Sequence, residues 1–389
     1  MTDLARQQLA TDADLLVVKV GTRVLAKPDG SLDEQQIESL ADQLVRIGAG
    51  SSRRVALVSS GAVGAGIGRI GLEARPTDLA ELQAAAAIGQ SCLIEAYHRA
   101  FQRHGRTAAQ VLLTADDVND RRRYLNVRNT LGALFEYGAI PIVNENDTVR
   151  TDELSRNMGD NDRLAAMVTN LLCAPLLVIL TDVDGLFDGN PADESSSVIG
   201  MVEQIDGSTE SLVQSGAKKP GPSLSKGGMA SKLEAAQTVT EAGESVVLAN
   251  GRRPNVLVDL MAGEPIGTLL PGSGGQVSPR KRWIGWAAQP MGRVVLDEGA
   301  VRAIVENGKS LLPVGITLVT GEFDKGDVVS LCDPEGEEFG RGLSNYNAPD
   351  LRLIAGQSTE GIARALVRAP YAEAVHRDHL TLVRGPGAD

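Results

Sequence analysis

Cysteine and histidine are scarce in this 389-residue chain, with three of the first and four of the second. Cys92, Cys173 and Cys332 stand far apart with no CxxC spacing. That excludes a disulfide framework and suits a reducing compartment. His98, His104, His376 and His379 are equally scattered, so neither zinc-ligand spacing nor a Ser–His–Asp set emerges. Long apolar runs are missing too. Leu171–Leu180, the longest, is ten residues interrupted by Pro175, about half of the ~20 that a transmembrane helix needs. Residues 1–14 carry Asp3, Arg6, Asp12 and Asp14 and no apolar stretch, so no secretory signal is expected. Positive charge is in deficit: 38 Lys+Arg against 50 Asp+Glu leave a net charge of −12. A chain of that sign repels phosphate backbones and anionic lipid, so bulk binding to nucleic acid or membrane is not expected. The Walker phosphate-loop pattern is absent. So is a Rossmann GxGxxG in its strand–turn–helix context. These absences leave a soluble, cytoplasmic, globular protein as the expectation.

What is present is alternation. At roughly 100–200 residues per domain the length suggests two domains or three. Short continuous apolar runs (Leu15–Val20, Val55–Ser59, Ala108–Leu113, Ile140–Asn144, Leu176–Thr181, Ser245–Asn250) alternate with helical patterns. Those patterns are Asp33–Ile47, Leu79–Phe101, Val127–Tyr137, Asp162–Leu172 and Met229–Ala242. Continuous apolar strands are buried on both faces. The expectation is therefore an α/β fold, a mostly parallel open sheet sandwiched between helix layers. Residues 1–270 are assigned to this domain and the Gly/Pro/Ser-rich and basic stretch 271–289 to a linker. Residues 290–389 are assigned to a small β-barrel-like domain of short strands with Gly turns. The last region carries a net charge of −5 and only Phe323, Phe339, Tyr346 and Tyr371 as aromatics. RNA recognition usually needs a basic face and stacking aromatics, so this is a poor footprint for it.

Chemistry-bearing residues collect at strand ends, where open parallel sheets bind ligands. Asn144-Glu145-Asn146-Asp147 follows one strand, and Gly159-Asp160-Asn161-Asp162 precedes a helix. A helix cap would use one such residue, not two clusters of them. Lys19 sits inside the apolar run LLVVKV, where a lysine is costly unless it meets an anion. Ser59-Ser60-Gly61 ends a second strand, and Thr181-Asp182-Val183-Asp184-Gly185 a third. Lys226-Gly227-Gly228-Met229-Ala230-Ser231-Lys232 leads into a helix, a Gly-rich turn able to cradle phosphate. Two lysines, carboxylates that could orient them, and Gly turns at helix starts suit phosphoryl transfer. An acceptor that is already a carboxylate anion needs no general base.

Together the segments VVKVGT (17–22), SSGAVGAG (59–66), IVNEND (142–147), GDND (159–162), TDVDGLF (181–187) and GGMASK (227–232) resemble the amino-acid kinase family. Within it they resemble the branch that phosphorylates glutamate. VLDEGAVRAI (295–304), SLLPVGI (310–316) and GRGLSNYN (340–347) resemble a PUA domain. The resemblance implies ATP-dependent phosphorylation of the γ-carboxylate of L-glutamate, the first step of proline synthesis. It implies ATP and Mg²⁺ as cofactors and proline as feedback inhibitor. It also implies a homo-oligomer (dimer or tetramer) and a glutamyl phosphate reductase as partner. By position, Lys19 and Lys232 would neutralise the transferring phosphoryl group and Asp162 would hold them. Ser60, Asp147, Asn161 and Asp160 would bind glutamate. Lys19, Thr181, Asp182 and the turn Lys226, Gly227, Gly228, Met229, Ala230, Ser231, Lys232 would bind ATP. No protein-bound metal site is expected. The alternatives are another phosphotransferase of this family with a different acceptor, or an RNA-associated protein working through the PUA domain. Two departures from the family pattern stand out: Ser225-Lys226 before the Gly pair, and a longer segment before Gly159.

Overall fold

A computed structural model describes residues 2–49, 53–149, 161–193, 195–206, 209, 228–272, 277–358 and 371–383. The chain divides into two units, residues 1–118 with 122–275, and residues 119–121 with 276–389. The first opens with α1 (Thr2–Asp12), β1 (Leu15–Val20), α2 (Thr22–Leu25), α3 (Glu34–Gly48) and β2 (Arg54–Ser59). Then come α4 (Ala62–Ile70), α5 (Leu79–Gln102), β3 (Ala108–Leu113), α6 (Ala115–Asn119), α7 (Arg121–Glu136) and β4 (Ile140–Glu145). α8 (Asn161–Leu172), β5 (Leu176–Thr181), α9 (Met229–Glu241), β6 (Ser245–Asn250), α10 (Val256–Met261) and β7 (Thr268–Leu270) follow.

The strands form one sheet in the order β3-β4-β2-β1-β5-β6-β7. β1 to β6 pair in parallel, and only β7 is antiparallel, on the edge beside β6. This is the helix-covered parallel sheet that the continuous apolar strands imply. β1 lies near the middle, wholly buried, with Lys19 in register with Val58 on one side and Ile179 on the other. Side chains alternate across a strand. Leu16, Val18 and Val20 join one core with Leu40 and Leu44 of α3 and Tyr97 and Phe101 of α5. Val17 and Lys19 therefore face the opposite layer, where α8 packs on β1.

Helix ends follow local chemistry. Asp33 caps α3 by accepting from Gln36 N–H, and Asp78 caps α5 by accepting from Glu81 N–H. The small-residue stretch after β2 folds as α4, and its glycines let it press on α5 backbone to backbone. A Cβ on Gly66 would lie 1.8 Å from the Ala85 carbonyl oxygen, and one on Gly89 1.8 Å from that of Ala62. Gly61, at the start of α4, has φ of +103°, a conformation that only glycine adopts without strain.

The second unit holds β8 (Gly292–Leu296), β9 (Ile316–Gly321), β10 (Val328–Cys332), β11 (Glu338–Leu343) and β12 (Leu380–Leu382), in the sheet order β12-β11-β10-β8-β9. Its core includes Val294, Leu296, Val329, Leu331 and Ile354. Part of the stretch read as linker is ordered. α11 (Pro279–Arg282), with Ser278 as its cap, continues into a π-helical turn over Trp283–Ala287. Trp283 and Ile284 are buried there, so apolar burial outweighs the loop-like composition around them.

Overpacking at the α4–α5 crossing should be costly. Gly89→Ala is expected to destabilise the chain by about 1–3 kcal/mol or more. Gly132→Ala in α7 should be neutral or stabilising, because a Cβ there meets nothing within 4 Å and Ala is the better helix former. Urea unfolding of the two variants checks the contrast.

Candidate active site

Parallel pairing brings the carboxyl ends of β1, β2, β4 and β5 to one edge of the sheet. Two clusters of side chains meet there, joined by the first turn of α8.

The first cluster is ionic. Asp162, with no exposed surface, lies between two lysines. Lys19 Nζ is 2.6 Å from Oδ1 and Lys232 Nζ is 3.2 Å from Oδ2. Ser231 Oγ lies 3.3 Å from Oδ2 as well. The lysines are 4% and 7% exposed. An ammonium buried without a counterion costs several kcal/mol, so this carboxylate is what makes both positions tenable. Among the described residues two ammonium groups share one carboxylate, which leaves one positive charge in excess. Lys232 reaches Asp162 from the first turn of α9. Among the described residues no side-chain hydrogen bond caps that helix at Gly228, and a Cβ there would meet nothing within 4 Å. Ser231 Oγ donates back to the Gly228 carbonyl at 3.0 Å and tightens the turn. A bare helix N-terminus beside two buried ammonium groups favours phosphate.

The second cluster is made of amides. Asn161 Nδ2 shares its two hydrogens among three acceptors, Ser60 Oγ at 2.9 Å, the Ser59 carbonyl at 3.2 Å and Asn144 Oδ1 at 3.0 Å. Ser59 Oγ lies 3.0 Å from the Tyr97 hydroxyl. Burial pushes the Tyr97 phenol far above its usual range and outweighs the opposing bond from Ser59, so Tyr97 stays neutral. Asp147 sits in a 3₁₀ turn three residues past Asn144, partly exposed.

A third group lies at the end of β5. Thr181 Oγ1 donates to Asp182 Oδ1 at 3.1 Å and Arg23 donates to Oδ2 at 3.0 Å. Burial pushes the Asp182 carboxyl up, but the Arg23 hydrogen bond and charge, helped by Thr181, outweigh it and hold the group below its ordinary value. Arg252, past β6, donates to the carbonyls of Arg23 and Ala26 and pins this loop.

The structure thus brings Lys19, Asp162, Ser231 and Lys232 together, and Ser60 with Asn161, while Gly228, Met229 and Ala230 begin α9. Asp160, Lys226 and Gly227 lie outside the described residues, as do Ser225 and the segment before Gly159. The sequence reading missed Arg23 and Arg252, basic residues in a loop with no motif around them, and Gln90, a polar residue in an alanine-rich helix. No cluster of three His, Cys, Asp or Glu among the described residues is placed to hold a metal ion. No described helix is long and apolar enough to cross a membrane.

A parallel sheet with buried lysines and a bare helix start at its carboxyl edge is phosphotransferase architecture. Residues 14–250 match the amino acid kinase family, and the chain belongs to it. Residues 292–366 match the PUA domain. The chain is similar over nearly its whole length to curated proteins named glutamate 5-kinase. That of Rhodopirellula baltica is 47% identical over 381 residues, 98% of this chain and 97% of the relative. That of Pseudomonas fluorescens (strain Pf0-1) is 46% identical over 373 residues, 96% of this chain and 99% of the relative. Among solved structures, UMP kinase from Bacillus anthracis is similar at 13% identity and a TM-score of 0.45, over 67% of this chain and 97% of that one.

Asp162→Asn removes the counterion that Lys19 and Lys232 share among the described residues, and is expected to cost about 3–5 kcal/mol. Arg23→Ala, at a pair that is 49% and 35% exposed, should cost no more than about 1 kcal/mol. Equilibrium denaturation of both variants measures the difference.

Proposed function

We propose that this chain transfers the γ-phosphoryl group of ATP to the γ-carboxylate of L-glutamate. A carboxylate oxygen bonds to the γ-phosphorus as its bond to the ADP oxygen breaks, giving L-glutamyl 5-phosphate and ADP. The observation that carries the reading is the Lys19–Asp162–Lys232 cluster, set one residue from the Ser60–Asn161 cluster. Near-complete similarity to proteins named glutamate 5-kinase supports the choice of acceptor.

The obstacle in such a reaction is repulsion between two anions rather than removal of a proton. Glutamate's side chain is ionised at neutral pH, its pKa being about 4.3, and no histidine lies in the described clusters. Lys19 and Lys232 would neutralise the phosphoryl oxygens as charge spreads over them. Asp162 fixes both lysines in advance, so little reorganisation is needed at the moment of transfer. Ser60, Asp147 and Asn161, together with Asp160, which precedes Asn161 in the sequence, would hold glutamate. Thr181, Asp182 and the turn from Lys226 to Lys232 would hold ATP. The described residues offer no carboxylate cage for Mg²⁺, so the ion would be carried by the phosphates of ATP, as suits an ion that keeps most of its waters. Feedback inhibition by proline, a dimeric or tetrameric state, a cytoplasmic location and delivery of the labile acyl phosphate to a glutamyl phosphate reductase belong to the same reading. The PUA-like unit is assigned a modulatory role.

ADP release from purified protein with Mg-ATP should depend on L-glutamate and not on L-aspartate. Added hydroxylamine should trap a γ-hydroxamate. Turnover with aspartate instead, or glutamate-dependent ADP release without a trapped hydroxamate, would refute the proposal. The same assay on a chain ending near Gln276 tests the modulatory role, which fails if that folded protein has no turnover. Lys232→Ala should lower kcat by about 10²–10³-fold, with the KM for glutamate changed only a few-fold. A change confined to KM would remove Lys232 from the transition state.

A further inference from the structure

The Ser60–Asn161 corner is built from side-chain amides, whose oxygen and nitrogen ends match in shape and oppose in function. Two backbone groups fix their polarity. Glu145 N–H can only donate, and it donates to Asn144 Oδ1 at 2.9 Å. The Ser59 carbonyl can only accept, and it accepts from Asn161 Nδ2 at 3.2 Å. The middle then follows: Asn161 Nδ2 donates to Asn144 Oδ1, and Asn144 Nδ2 is left needing an acceptor. It finds one in Gln90 Oε1, at 2.7 Å.

Gln90 is 9% exposed and Asn144 2%. Gln90 Nε2 is buried with no hydrogen-bond partner among the described residues. Leaving a buried amide nitrogen unsatisfied is costly, and such groups in native structures call for a reason. Turning Gln90 over would set its nitrogen against Asn144 Nδ2, donor against donor. The demand of Asn144 therefore sets the orientation of Gln90. Gln90 is held at this depth by its neighbour Gly89, which brings α5 into backbone contact with α4 at Ala62.

We infer that Gln90 is a positioning residue for the acceptor substrate, acting through the Gln90–Asn144–Asn161 chain of hydrogen bonds. The chain commits Asn161 Nδ2 to the protein and leaves Asn161 Oδ1 to accept from the substrate's α-ammonium group. Ser60 Oγ, which accepts from Asn161, keeps its own O–H to donate to a substrate carboxylate. Without the Gln90 oxygen, Asn144 Nδ2 is left buried with no acceptor and its amide is held by Glu145 N–H alone, so Asn161 loses the firm partner that, beside the Ser59 carbonyl, holds its Oδ1 toward the ammonium group. The inference rests on the reading that Ser60 and Asn161 hold the acceptor.

The test uses the full chain. Gln90→Met keeps the length of the side chain and removes its acceptor. The expected result is a rise of about tenfold or more in the KM for L-glutamate, with the KM for ATP within about twofold of wild type. Glutarate, which has both carboxylates and no ammonium group, serves as a competing ligand. Its inhibition constant should change little, so that discrimination against it falls. In an Asn144→Ala background Gln90→Met should add less than about twofold, because the route through Asn144 is already cut. If Gln90→Met does not fold, Gln90→Ala should give the same split between glutamate and ATP. The inference is overturned by a folded variant whose glutamate KM stays within about twofold of wild type. Equal losses for both substrates, or a full additional effect on top of Asn144→Ala, overturn it as well. Ser60→Ala and Asn161→Ala separate the two levels: if they leave the glutamate KM unchanged, the site reading itself is wrong. If they raise it and Gln90→Met does not, only the role of Gln90 falls.

Discussion

One buried carboxylate holds the site of this protein together. Lys19 comes from a central strand and Lys232 from the first turn of a helix far along the chain, and both end on Asp162. Neither lysine could stay buried there alone. A carboxylate with no exposed surface could not stay ionised without them. The arrangement is self-consistent only as a set. Because it is one negative charge short of neutral among the described residues, it is unfinished in a way that an anionic ligand completes.

The residue before Asp162 gives that set its direction. Asn161 turns to the ends of β2 and β4 while Asp162 turns to β1 and α9. Two adjacent residues at one helix start therefore serve opposite halves of the site. The half proposed for glutamate is made of strand ends and neutral amides, whose specificity lies in which end of each amide faces which way. The half proposed for ATP is made of cations and a bare helix start, which recognise charge and are indifferent to its exact orientation.

Much of this was legible in the sequence, for physical reasons that can be named. Most of the strands announce themselves because a strand covered on both faces must be apolar throughout; β3, half-exposed at the sheet edge with Gln110 in it, is the weakest of these runs. Lys19 announces itself by breaking one of those runs. The polar clusters at residues 144–147 and 159–162 stand out because a helix cap cannot use so many amides and acids. Pairings are harder to read. Nothing in the local pattern says that Lys19 and Lys232 share one carboxylate, because the topology of the sheet decides it. Gln90 was invisible for a different reason: within an alanine-rich helix a single glutamine looks like a solvent-facing residue. α4 was obscured by glycines that weaken helix propensity yet permit the close contact that stabilises it. The turn over residues 279–287 was hidden by its Gly- and Ser-rich approach, although Ser278 and Pro279 form a recognisable helix start.

The contact between Gly66 and Gly89 ties packing to recognition. Each glycine faces a carbonyl of the other helix, so no side chain lies between the two backbones to absorb an error by changing rotamer. Any added atom must be taken up as rigid-body movement. The crossing lies within a few residues of Ser60 at one helix start and directly beside Gln90 on the other. On the proposed reading of the site, a lesion in this crossing would therefore surface as a defect in substrate choice as well as in stability.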